Sequence, residues 1–202
     1  MEIVAEKIGK KFNKEWIFKN FSISIKENQS LAVTGPNGSG KSTLLQLLAG
    51  MLPPTEGKIR FQTDQLNLPV EEWYQTIAYA APYLELIEEM SIRELSNFHQ
   101  NFKPFKNNLS TEEFINKIGL GHASEKEIRF LSSGMKQRVK LGLALFSNTS
   151  ILMLDEPTTN LDSKATDWYL EEIHKQLGKR IILICSNQSH EYSFCKDLIK
   201  IK

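Results

Sequence analysis

Short apolar runs, each followed by polar or turn-forming residues, are the clearest pattern along this chain. Four such runs lack alternation with polar residues, which is typical of strands buried on both faces of a parallel sheet. Between the runs, leucines recur at helical spacing and predict helices over 42–51 and 136–146, the first ended by a proline pair. This order of elements predicts an α/β fold with a mainly parallel sheet. The four runs are 31–33, 77–80, 151–154 and 181–184.

The beginning of the chain follows a different pattern. Apolar and polar residues alternate over 3–8 and 21–25, and again over 58–61, as in antiparallel strands with one exposed face. Residues 84–147 are instead polar and mostly helical in pattern, with an interruption at Pro104. We therefore expect an N-terminal antiparallel β subdomain and a helical subdomain that is inserted into the parallel core.

The length of 202 residues fits one domain with an inserted subdomain. We predict a single domain over 1–202, in which 1–83 and 148–202 form the core with the antiparallel β subdomain. Residues 84–147 then form the helical subdomain. The 25 basic and 24 acidic residues nearly cancel, so charge gives no reason to expect a nucleic-acid partner.

Two features of the sequence predict a cytoplasmic protein. No run reaches the roughly 18 apolar residues that would span a bilayer, and the N-terminus lacks the apolar segment of a secretory signal. Cys185 and Cys195 have no metal-ligand spacing and are expected to be reduced. A role at a membrane would therefore require docking onto another chain.

The strongest chemical signal is a glycine-rich loop between the run at 31–33 and the helix expected from Ser42. It matches the phosphate-loop pattern G-x-x-x-x-G-K-[ST] and differs from the G-x-G-x-x-G of dinucleotide-binding loops. Glycines let backbone N–H groups converge on phosphate oxygens, and the following helix adds its positive dipole end. Lys41 would bind the outer phosphates and Ser42 would be a ligand of Mg²⁺, so we predict that the chain binds ATP and Mg²⁺. The loop consists of Gly35, Pro36, Asn37, Gly38, Ser39, Gly40, Lys41, Ser42 and Thr43.

Two adjacent acids, Asp155 and Glu156, follow the apolar run at 151–154. Neighbouring carboxylates at a strand end are costly unless a cation lies nearby, and Mg²⁺ bound to ATP would supply one. We predict that Asp155 holds Mg²⁺ and that Glu156 is the general base that activates the attacking water. With Lys41, this pair predicts an enzyme that hydrolyses ATP.

Together with three further segments, these motifs closely resemble the ATP-binding subunits of ABC transporters, and the resemblance covers essentially the whole chain. Residues 131–138 resemble the family's signature motif at the start of a helix, and 159–162 resemble its D-loop. Phe12 stands where the family places an aromatic that stacks on adenine, with Trp16 as the nearby alternative. The compact chain also resembles the subunits that serve small exporters, including the haem-exporter type.

The resemblance implies that two ATP molecules are held between two ATPase subunits arranged head to tail, for which we expect a homodimer. Ser132, Ser133 and Gly134 of the signature motif would complete the ATP site of the partner subunit, and Asp162 would link the two sites. The resemblance also implies a separate integral membrane permease. The chain would then be peripheral on the cytoplasmic face of the membrane.

Four positions depart from the family pattern. Pro82 stands where the family has a glutamine that touches Mg²⁺ and the attacking water. Asn187 stands where the family has a switch histidine, and its amide can still hydrogen-bond a γ-phosphate as a catalytic group. In the signature motif, Ser133 replaces a glycine and Met135 replaces a glutamine. Ser133 adds a side chain where the backbone of the family is bare.

Losing one preorganised donor at a reacting centre costs about 10²–10³ in rate, so these departures predict slow hydrolysis rather than none. Either a local residue (Tyr83, Glu85 or Gln188) or a partner subunit could supply the missing groups. Two alternatives to a transport ATPase remain open. One is a slow-hydrolysing regulatory subunit, and the other is a soluble ABC ATPase of DNA repair or translation, although the chain lacks coiled coils and a second ATPase unit.

Overall fold

Nine strands and six α-helices make up the part of the chain that this computed structural model describes, residues 1–63 and 66–201. The longest helix has 14 residues, and no helix in these ranges is long and apolar enough to cross a membrane. In chain order the strands are β1 (Glu2–Phe12), β2 (Glu15–Lys26), β3 (Ser30–Thr34), β4 (Glu56–Thr63), β5 (Leu66–Leu68), β6 (Ile77–Ala80), β7 (Ile151–Asp155), β8 (Ile181–Cys185) and β9 (Asp197–Lys200). The helices are α1 (Lys41–Leu48), α2 (Trp73–Thr76), α3 (Ile92–Gln100), α4 (Thr111–Lys117), α5 (Ser133–Phe146) and α6 (Ser163–His174).

A five-stranded sheet with the order β6-β7-β8-β3-β9 contains all four predicted apolar runs. Each neighbouring pair is parallel, and β3, β7 and β8 are buried along their whole length. The parallel core is therefore confirmed. The edge strand β9 was not predicted, because its residues are mostly exposed and lack the continuous apolar run of the central strands.

The antiparallel sheet has the order β2-β1-β4-β5 and confirms the alternation seen at the N-terminus. Ile3, Ile8 and Phe61 are fully buried on its inner face, where they join Leu44 of α1 and the parallel strands in one hydrophobic cluster. The Trp73 ring stacks on Phe61 with the ring centroids 4.0 Å apart. This shared cluster fixes the antiparallel sheet against α1 and the loop that precedes it.

The end of α1 differs from the sequence prediction, because the helix stops at Leu48 and not at the proline pair. Gly50 adopts the left-handed conformation, with φ 73°. Its N–H donates to the carbonyl oxygen of Leu47 at 3.0 Å, and the N–H of Met51 donates to that of Gln46 at 2.9 Å. These two bonds form a Schellman motif, which satisfies the last carbonyls and ends the helix.

The residues between β6 and β7 build a second hydrophobic cluster from α3, α4 and one side of α5. Both α3 and α4 begin with a capping box, formed in α3 by Ser91 and Glu94. Another side of α5 packs on the parallel sheet through Leu141 and Leu145. Because α5 contributes to both clusters, the boundaries of a helical subdomain at 84–147 stay a prediction.

Candidate functional site

The phosphate loop joins the carboxyl end of β3 to the amino end of α1. Gly40, the residue before α1, has φ 94°, and a Cβ atom there would lie 2.4 Å from Cγ2 of Ile17 on β2. Only glycine fits both the backbone conformation and the space. The loop over 35–43 therefore has the strand–loop–helix context that its motif requires, and the antiparallel sheet packs against it.

Lys41 opens α1 and is 6% exposed. Its Nζ donates to the carbonyl oxygens of Gly35 at 2.8 Å and Pro36 at 3.2 Å. These bonds hold the ammonium group within the curve of the loop. A phosphate chain bound there would bring its negative charge directly to the lysine.

Asp155 ends β7 and is 2% exposed, yet neither of its carboxylate oxygens has a hydrogen-bond partner within residues 1–63 and 66–201. The buried Ser39 hydroxyl likewise has no partner there. Burial raises the pKa of the Asp155 carboxyl, while the nearby Ser42 and Tyr83 hydroxyls act in the opposite direction without completing a hydrogen bond. A buried carboxylate without a partner is costly, so Asp155 and Ser42 fit a site for a divalent cation with oxygen ligands.

Glu156 directly follows β7 and has φ 40°, a conformation that is strained for a residue with a side chain. Its N–H donates to the carbonyl oxygen of Cys185 at 2.8 Å, which fixes the turn against the end of β8. Its side chain is half-buried, and the only hydrogen bond given to it within the described chain is a long one from the Thr159 hydroxyl at 3.5 Å. The carboxylate is thus positioned by the backbone but largely free to accept a proton.

Asn187 lies two residues beyond β8 and reaches the phosphate loop of its own chain. Its Oδ1 accepts from the backbone N–H of Gly35 at 3.3 Å, and its Nδ2 donates to Oδ1 of Asn37 at 3.0 Å. The structure thus brings Asn187 to the region where the phosphates were predicted to bind. Both functional groups of its amide are engaged by the loop in this conformation.

A cluster of hydroxyl and amide groups lies beside Asp155, and of its members only Tyr83 was predicted from the sequence, as one of three local residues that could supply missing groups. The Tyr83 and Tyr79 hydroxyls lie 2.5 Å apart, and Nε2 of Gln46 donates to the Tyr83 oxygen at 3.1 Å. Tyr83 and Asp155 are close enough for each to shift the pKa of the other. Pro82 supplies no side-chain polar group, but its neighbour Tyr83 does. Gln46, a polar residue among the leucines in the second half of α1, was a further signal of this cluster in the sequence.

Glu191 is a second residue that the sequence did not reveal. It is fully buried, and its Oε1 accepts from the backbone N–H of Thr158 at 2.7 Å and also from the Thr158 hydroxyl. The exposed His190 approaches the same hydroxyl at 3.1 Å through Nε2. These contacts fasten the segment after Glu156 to the loop after β8, so they act on the site through its backbone.

The predicted signature residues lie at the start of α5. This helix begins at Ser133, three residues earlier than predicted, because the Ser132 hydroxyl accepts from the N–H of Met135 at 3.3 Å and caps it. Ser132 and Ser133 are exposed, and the backbone of Ser133 is helical. Within the described part of the chain, no hydrogen bond joins 132–134 to the phosphate loop, so these side chains are available to a second molecule.

Asp162 is exposed and caps α6, since its Oδ1 accepts from the N–H of Ala165 at 2.7 Å. The same oxygen lies 3.9 Å from Nη2 of Arg138 on α5. This ion pair is long and largely exposed, so it contributes little stability. Asp162 therefore connects the segment after Glu156 with the signature helix inside one chain.

Gly134→Ala is expected to lower the free energy of unfolding by about 1–3 kcal/mol, the usual cost of overpacking. A Cβ atom at Gly134 would lie 2.8 Å from the carbonyl oxygen of Asn160, so either α5 or the D-loop segment must move. Urea unfolding measures the effect. Ser133→Ala, at the exposed neighbouring position, is the matched control, and equal stability of the two variants would contradict the predicted contact.

Phe12 ends β1 and is 44% exposed, with Nζ of Lys10 above its ring at 5.1 Å from the centroid. Trp16, the alternative adenine partner, is half-buried, and a Cβ at Gly9 would lie 3.1 Å from its ring. The Nζ of Lys19 covers the Trp16 ring at 4.0 Å. Stacking requires an accessible ring face. Phe12 is the more exposed ring and has one lysine above it, whereas the half-buried Trp16 has two, Lys11 and Lys19, so the structure favours Phe12 over Trp16.

Residues 18–159 match a family model described as ABC transporter. The chain is 33% identical over 166 residues to the cytochrome c biogenesis ATP-binding export protein CcmA of Mesorhizobium japonicum, covering 80% of this chain and 79% of the relative. It is 29% identical over 192 residues to the protein of the same name from Agrobacterium fabrum, covering 93% and 90%. The taurine import ATP-binding protein TauB of Ruegeria pomeroyi is 33% identical over 172 residues, which is 82% of this chain and 63% of that protein.

Solved structures show the same fold. A dimeric ATP-binding cassette in a post-hydrolysis state, bound to ADP and Pi, superposes with a TM-score of 0.84 at 24% identity, covering 99% of this chain and 94% of the other. A putative ABC transporter ATP-binding protein from Pyrococcus furiosus gives a TM-score of 0.80 at 21% identity, covering 100% and 98%. The predicted fold class, a parallel core with an antiparallel sheet and added helices, is therefore confirmed.

Proposed function

The chain belongs to the ABC transporter family and is an ATP-binding ATPase subunit, and we propose that it drives transport by closing on ATP with a second ATPase subunit and moving a separate membrane subunit. The observation that carries this proposal is the placement of Lys41, Asp155 and Glu156 at the carboxyl ends of β3 and β7, where burial and the charges of Glu156 and Lys41 all act on the pKa of Asp155. Within residues 1–63 and 66–201 the buried Asp155 carboxylate has no hydrogen-bond partner, which supports its role as a ligand of Mg²⁺ beside a nucleotide.

In this proposal the backbone of the loop over 35–43 and the Lys41 ammonium bind the phosphates of ATP. Asp155 and Ser42 hold Mg²⁺, which when bound neutralises charge on the phosphates. Phe12 stacks on the adenine through its exposed ring face. The Ser39 hydroxyl, which has no hydrogen-bond partner in the described ranges, is a further donor for the nucleotide.

Glu156 is the proposed general base. Its backbone is fixed by the bond to Cys185, while its carboxylate keeps almost all of its acceptor capacity for a water molecule. Asn187 is the proposed phosphate sensor, because its amide already occupies the loop through Gly35 and Asn37. Nucleotide binding would exchange these two bonds for contacts with a phosphate.

A second subunit is proposed to complete the site. Ser132, Ser133 and Gly134 stand at the amino end of a helix of 14 residues, where backbone N–H groups and the helix dipole favour a phosphate. The three residues lie at the surface or partly so, without a hydrogen bond to the phosphate loop of the described chain. We therefore assign them, with Asp162, to the ATP site of the partner copy in a head-to-tail homodimer.

The membrane subunit is proposed to dock at a groove of about 720 Å³ that begins beside the site. Tyr83 and Ile87 on its wall are 48% and 40% exposed, and Nζ of Lys140 donates to the Pro82 carbonyl at 2.7 Å at its base. A partner in this groove would contact the segment that carries Tyr83. The chain would then be peripheral on the cytoplasmic face of the membrane.

Sustained ATP turnover by the purified chain, alone and with its membrane subunit, tests the proposed function. Turnover that rises when the membrane subunit is present is the expected result, because the groove couples that subunit to the site. Absence of turnover under both conditions would instead support the slow-hydrolysing regulatory subunit. Turnover that is stimulated by nucleic acid and not by a membrane subunit would support the soluble alternative.

Tyr83→Phe is expected to lower kcat for ATP by about 10², the cost of one preorganised donor, with little change in KM. The Tyr83 oxygen accepts from Gln46, and when it also accepts from the Tyr79 hydroxyl its own hydrogen is left to donate toward Asp155. It would act as a positioning residue in place of the side chain that Pro82 lacks. The Mg²⁺ concentration that gives half-maximal protection of the nucleotide-bound protein against heat should also rise.

Tyr79→Phe is the matched control, because it removes the neighbouring hydroxyl and leaves the Tyr83 hydroxyl in place. Its effect on kcat should be much smaller than that of Tyr83→Phe. If the Tyr83→Phe protein kept the wild-type kcat and Mg²⁺ dependence, the hydroxyl cluster would have no role in hydrolysis.

A further inference from the structure

A cavity of about 760 Å³ lies at the end of the parallel sheet opposite the ATP site, and we call it the lysine cavity. Thr149 and Ser150 on its wall immediately precede β7, and Lys179 lies shortly before β8. Asp155 is at the other end of β7, about 16 Å away along a five-residue strand. The lysine cavity is therefore separate from the phosphate loop. Its charged lining consists of Lys106, Lys117, Glu172, Lys175 and Lys179, and its amide lining of Asn107, Asn148 and Gln176.

Positive charge prevails in the lysine cavity, although the whole chain has a formal net charge of only +1. Glu172 is the one carboxylate among the lining residues of the cavity. It accepts a hydrogen bond from Nζ of Lys175 at 2.6 Å, so the charges of these two residues offset each other. Lys106, Lys117 and Lys179 have no ion pair in residues 1–63 and 66–201. Three ammonium groups therefore line one cavity without an ion pair in the described ranges, although Lys117 lies near Glu113, whose pKa is lowered by its own hydrogen bonds and by the charge of Lys117.

The surroundings of Lys106 show the effect of these neighbouring positive charges on a single amine. Its Nζ donates to Oε1 of Gln176 at 2.6 Å, a neutral acceptor. Burial, together with the charges of Arg180 and Lys179, lowers the pKa of Lys106 to about 7. An anion close to this amine would restore its charged form and relieve the repulsion.

Arg180 adds a permanent charge beneath this end of the sheet. It is 2% exposed, and its guanidinium donates to the carbonyl oxygen of Leu145 at 3.0 Å and to the Thr149 hydroxyl at 3.2 Å. No carboxylate pairs with it in the described ranges, and its Nε has no hydrogen-bond partner there. A buried guanidinium without a carboxylate is an unusual arrangement that a bound anion nearby would stabilise.

We propose that the lysine cavity binds an anion that carries two or more phosphate groups, held by Lys106, Lys117 and Lys179. Ammonium groups suit phosphate as point charges, and the Nε2 amide group of Gln176 offers a neutral donor for its remaining oxygens, because only Oε1 of Gln176 is engaged by Lys106. The volume lies within the range of small-molecule sites. A free polyphosphate anion and the headgroup of a diphosphate lipid share this chemistry.

Such an anion would bridge two parts of the chain. Lys106 and Lys117 belong to the segment between β6 and β7, whereas Lys179 and Gln176 follow α6. Binding would tie the helical cluster to the core at the end remote from ATP. This inference is independent of the proposed transport function, because it uses none of the residues assigned to ATP.

Acetylation of lysines by acetic anhydride, read residue by residue with mass spectrometry, tests the inference on the full chain. Inorganic pyrophosphate should protect Lys106, and Lys41 reports separately on pyrophosphate in the phosphate loop. In Lys117→Gln/Lys179→Gln, the pyrophosphate concentration that half-protects Lys106 should rise about tenfold or more, because two charge-assisted contacts are lost. Both replaced lysines are exposed, so this variant should keep its fold.

The matched control for charge is Lys14→Gln/Lys58→Gln, which also removes two exposed lysines. Lys14 lies between β1 and β2 and Lys58 lies on β4, in the antiparallel sheet and away from the lysine cavity, so this variant should be protected by pyrophosphate as the wild type is. A second arm replaces pyrophosphate with vesicles of phosphatidylcholine, alone or mixed with cardiolipin. Protection of Lys106 by cardiolipin vesicles only would identify a lipid headgroup, and protection by pyrophosphate would identify a free anion. Protection confined to Lys41, or protection of Lys106 that is equal in all variants, would overturn the inference.

Discussion

Glu156→Gln is expected to lower the rate of ATP hydrolysis by about 10²–10⁴, the usual contribution of a general base, while ATP still binds. The amide has nearly the same shape as the carboxylate and can accept the long contact from Thr159, so the strained turn at φ 40° should persist. The phosphate contacts of Lys41 and the loop are untouched. Release of inorganic phosphate measures turnover, and equilibrium binding of ATP is measured on the same protein.

The same variant should also dimerise on ATP. Because the Glu156→Gln protein is trapped in the state before hydrolysis, each of its phosphate loops should hold an ATP molecule that contacts Ser132 and Gly134 of the other copy. Its mass in solution is expected to shift from 23.1 kDa to twice that value when Mg²⁺·ATP is added. Removing a negative charge beside the phosphates should favour this closed state further.

Glu71→Gln, at an exposed turn before α2, is the control that changes the same charge away from the site. It should keep wild-type turnover and show no trapped dimer. If Glu156→Gln turned over ATP at the wild-type rate, another group would have to activate the water. If it bound ATP and stayed at 23.1 kDa, a different ATPase chain or the membrane subunit would be needed for closure.

The parts of this site that the sequence predicts are those that depend on local chain properties. The phosphate loop needs a glycine in the left-handed conformation at position 40 and a lysine at the start of the helix. These two residues, Gly40 and Lys41, are adjacent in the sequence, so the motif can be recognised locally. The strands β7 and β8 are buried on both faces, so their apolar runs are continuous and end at Asp155 and Cys185. Local pattern and tertiary burial agree here, so the predicted strands and the strand–loop–helix arrangement are confirmed.

The parts that the sequence does not predict depend on contacts between distant residues. Tyr83 meets Gln46 across 37 positions, and Glu191 meets Thr158 across 33. Helix periodicity predicts which side of α1 carries Gln46, but it does not predict which distant residue will contact that side. The lysine cavity has the same origin, since Lys106 and Gln176 are 70 positions apart. Such polar pairs become visible only after the sheet order is known.

Asn187 shows an intermediate case. Its place after the last core strand predicted an approach to the phosphates, and the structure brings its amide to Gly35 and Asn37. The sequence could not predict that both ends of the amide would be bound by the loop itself. Because an amide does not titrate near neutral pH, this contact should respond to nucleotide and not to pH.

Mixing two inactive variants is expected to restore ATP hydrolysis if the dimer is arranged head to tail. Lys41→Ala removes the phosphate-binding ammonium, and Ser132→Asp places a carboxylate against the phosphates of the partner's ATP. In a mixed dimer, the intact phosphate loop of one chain meets the intact signature of the other, so one of its two sites is complete. Random mixing should therefore recover about one quarter of the wild-type turnover, which steady-state phosphate release measures.

Ser132→Asp is chosen because aspartate is also a good helix cap, so the bond to the N–H of Met135 can be kept and α5 should remain folded. The control is the double variant Lys41→Ala/Ser132→Asp, which can complete no site with either single variant and should stay inactive in both mixtures. If the mixture of the two single variants, Lys41→Ala and Ser132→Asp, recovered no turnover while each remained folded, the signature would act on the phosphate loop of its own chain. That result would remove the dimer from the proposed mechanism, whereas selective recovery would show that Ser132 acts across an interface.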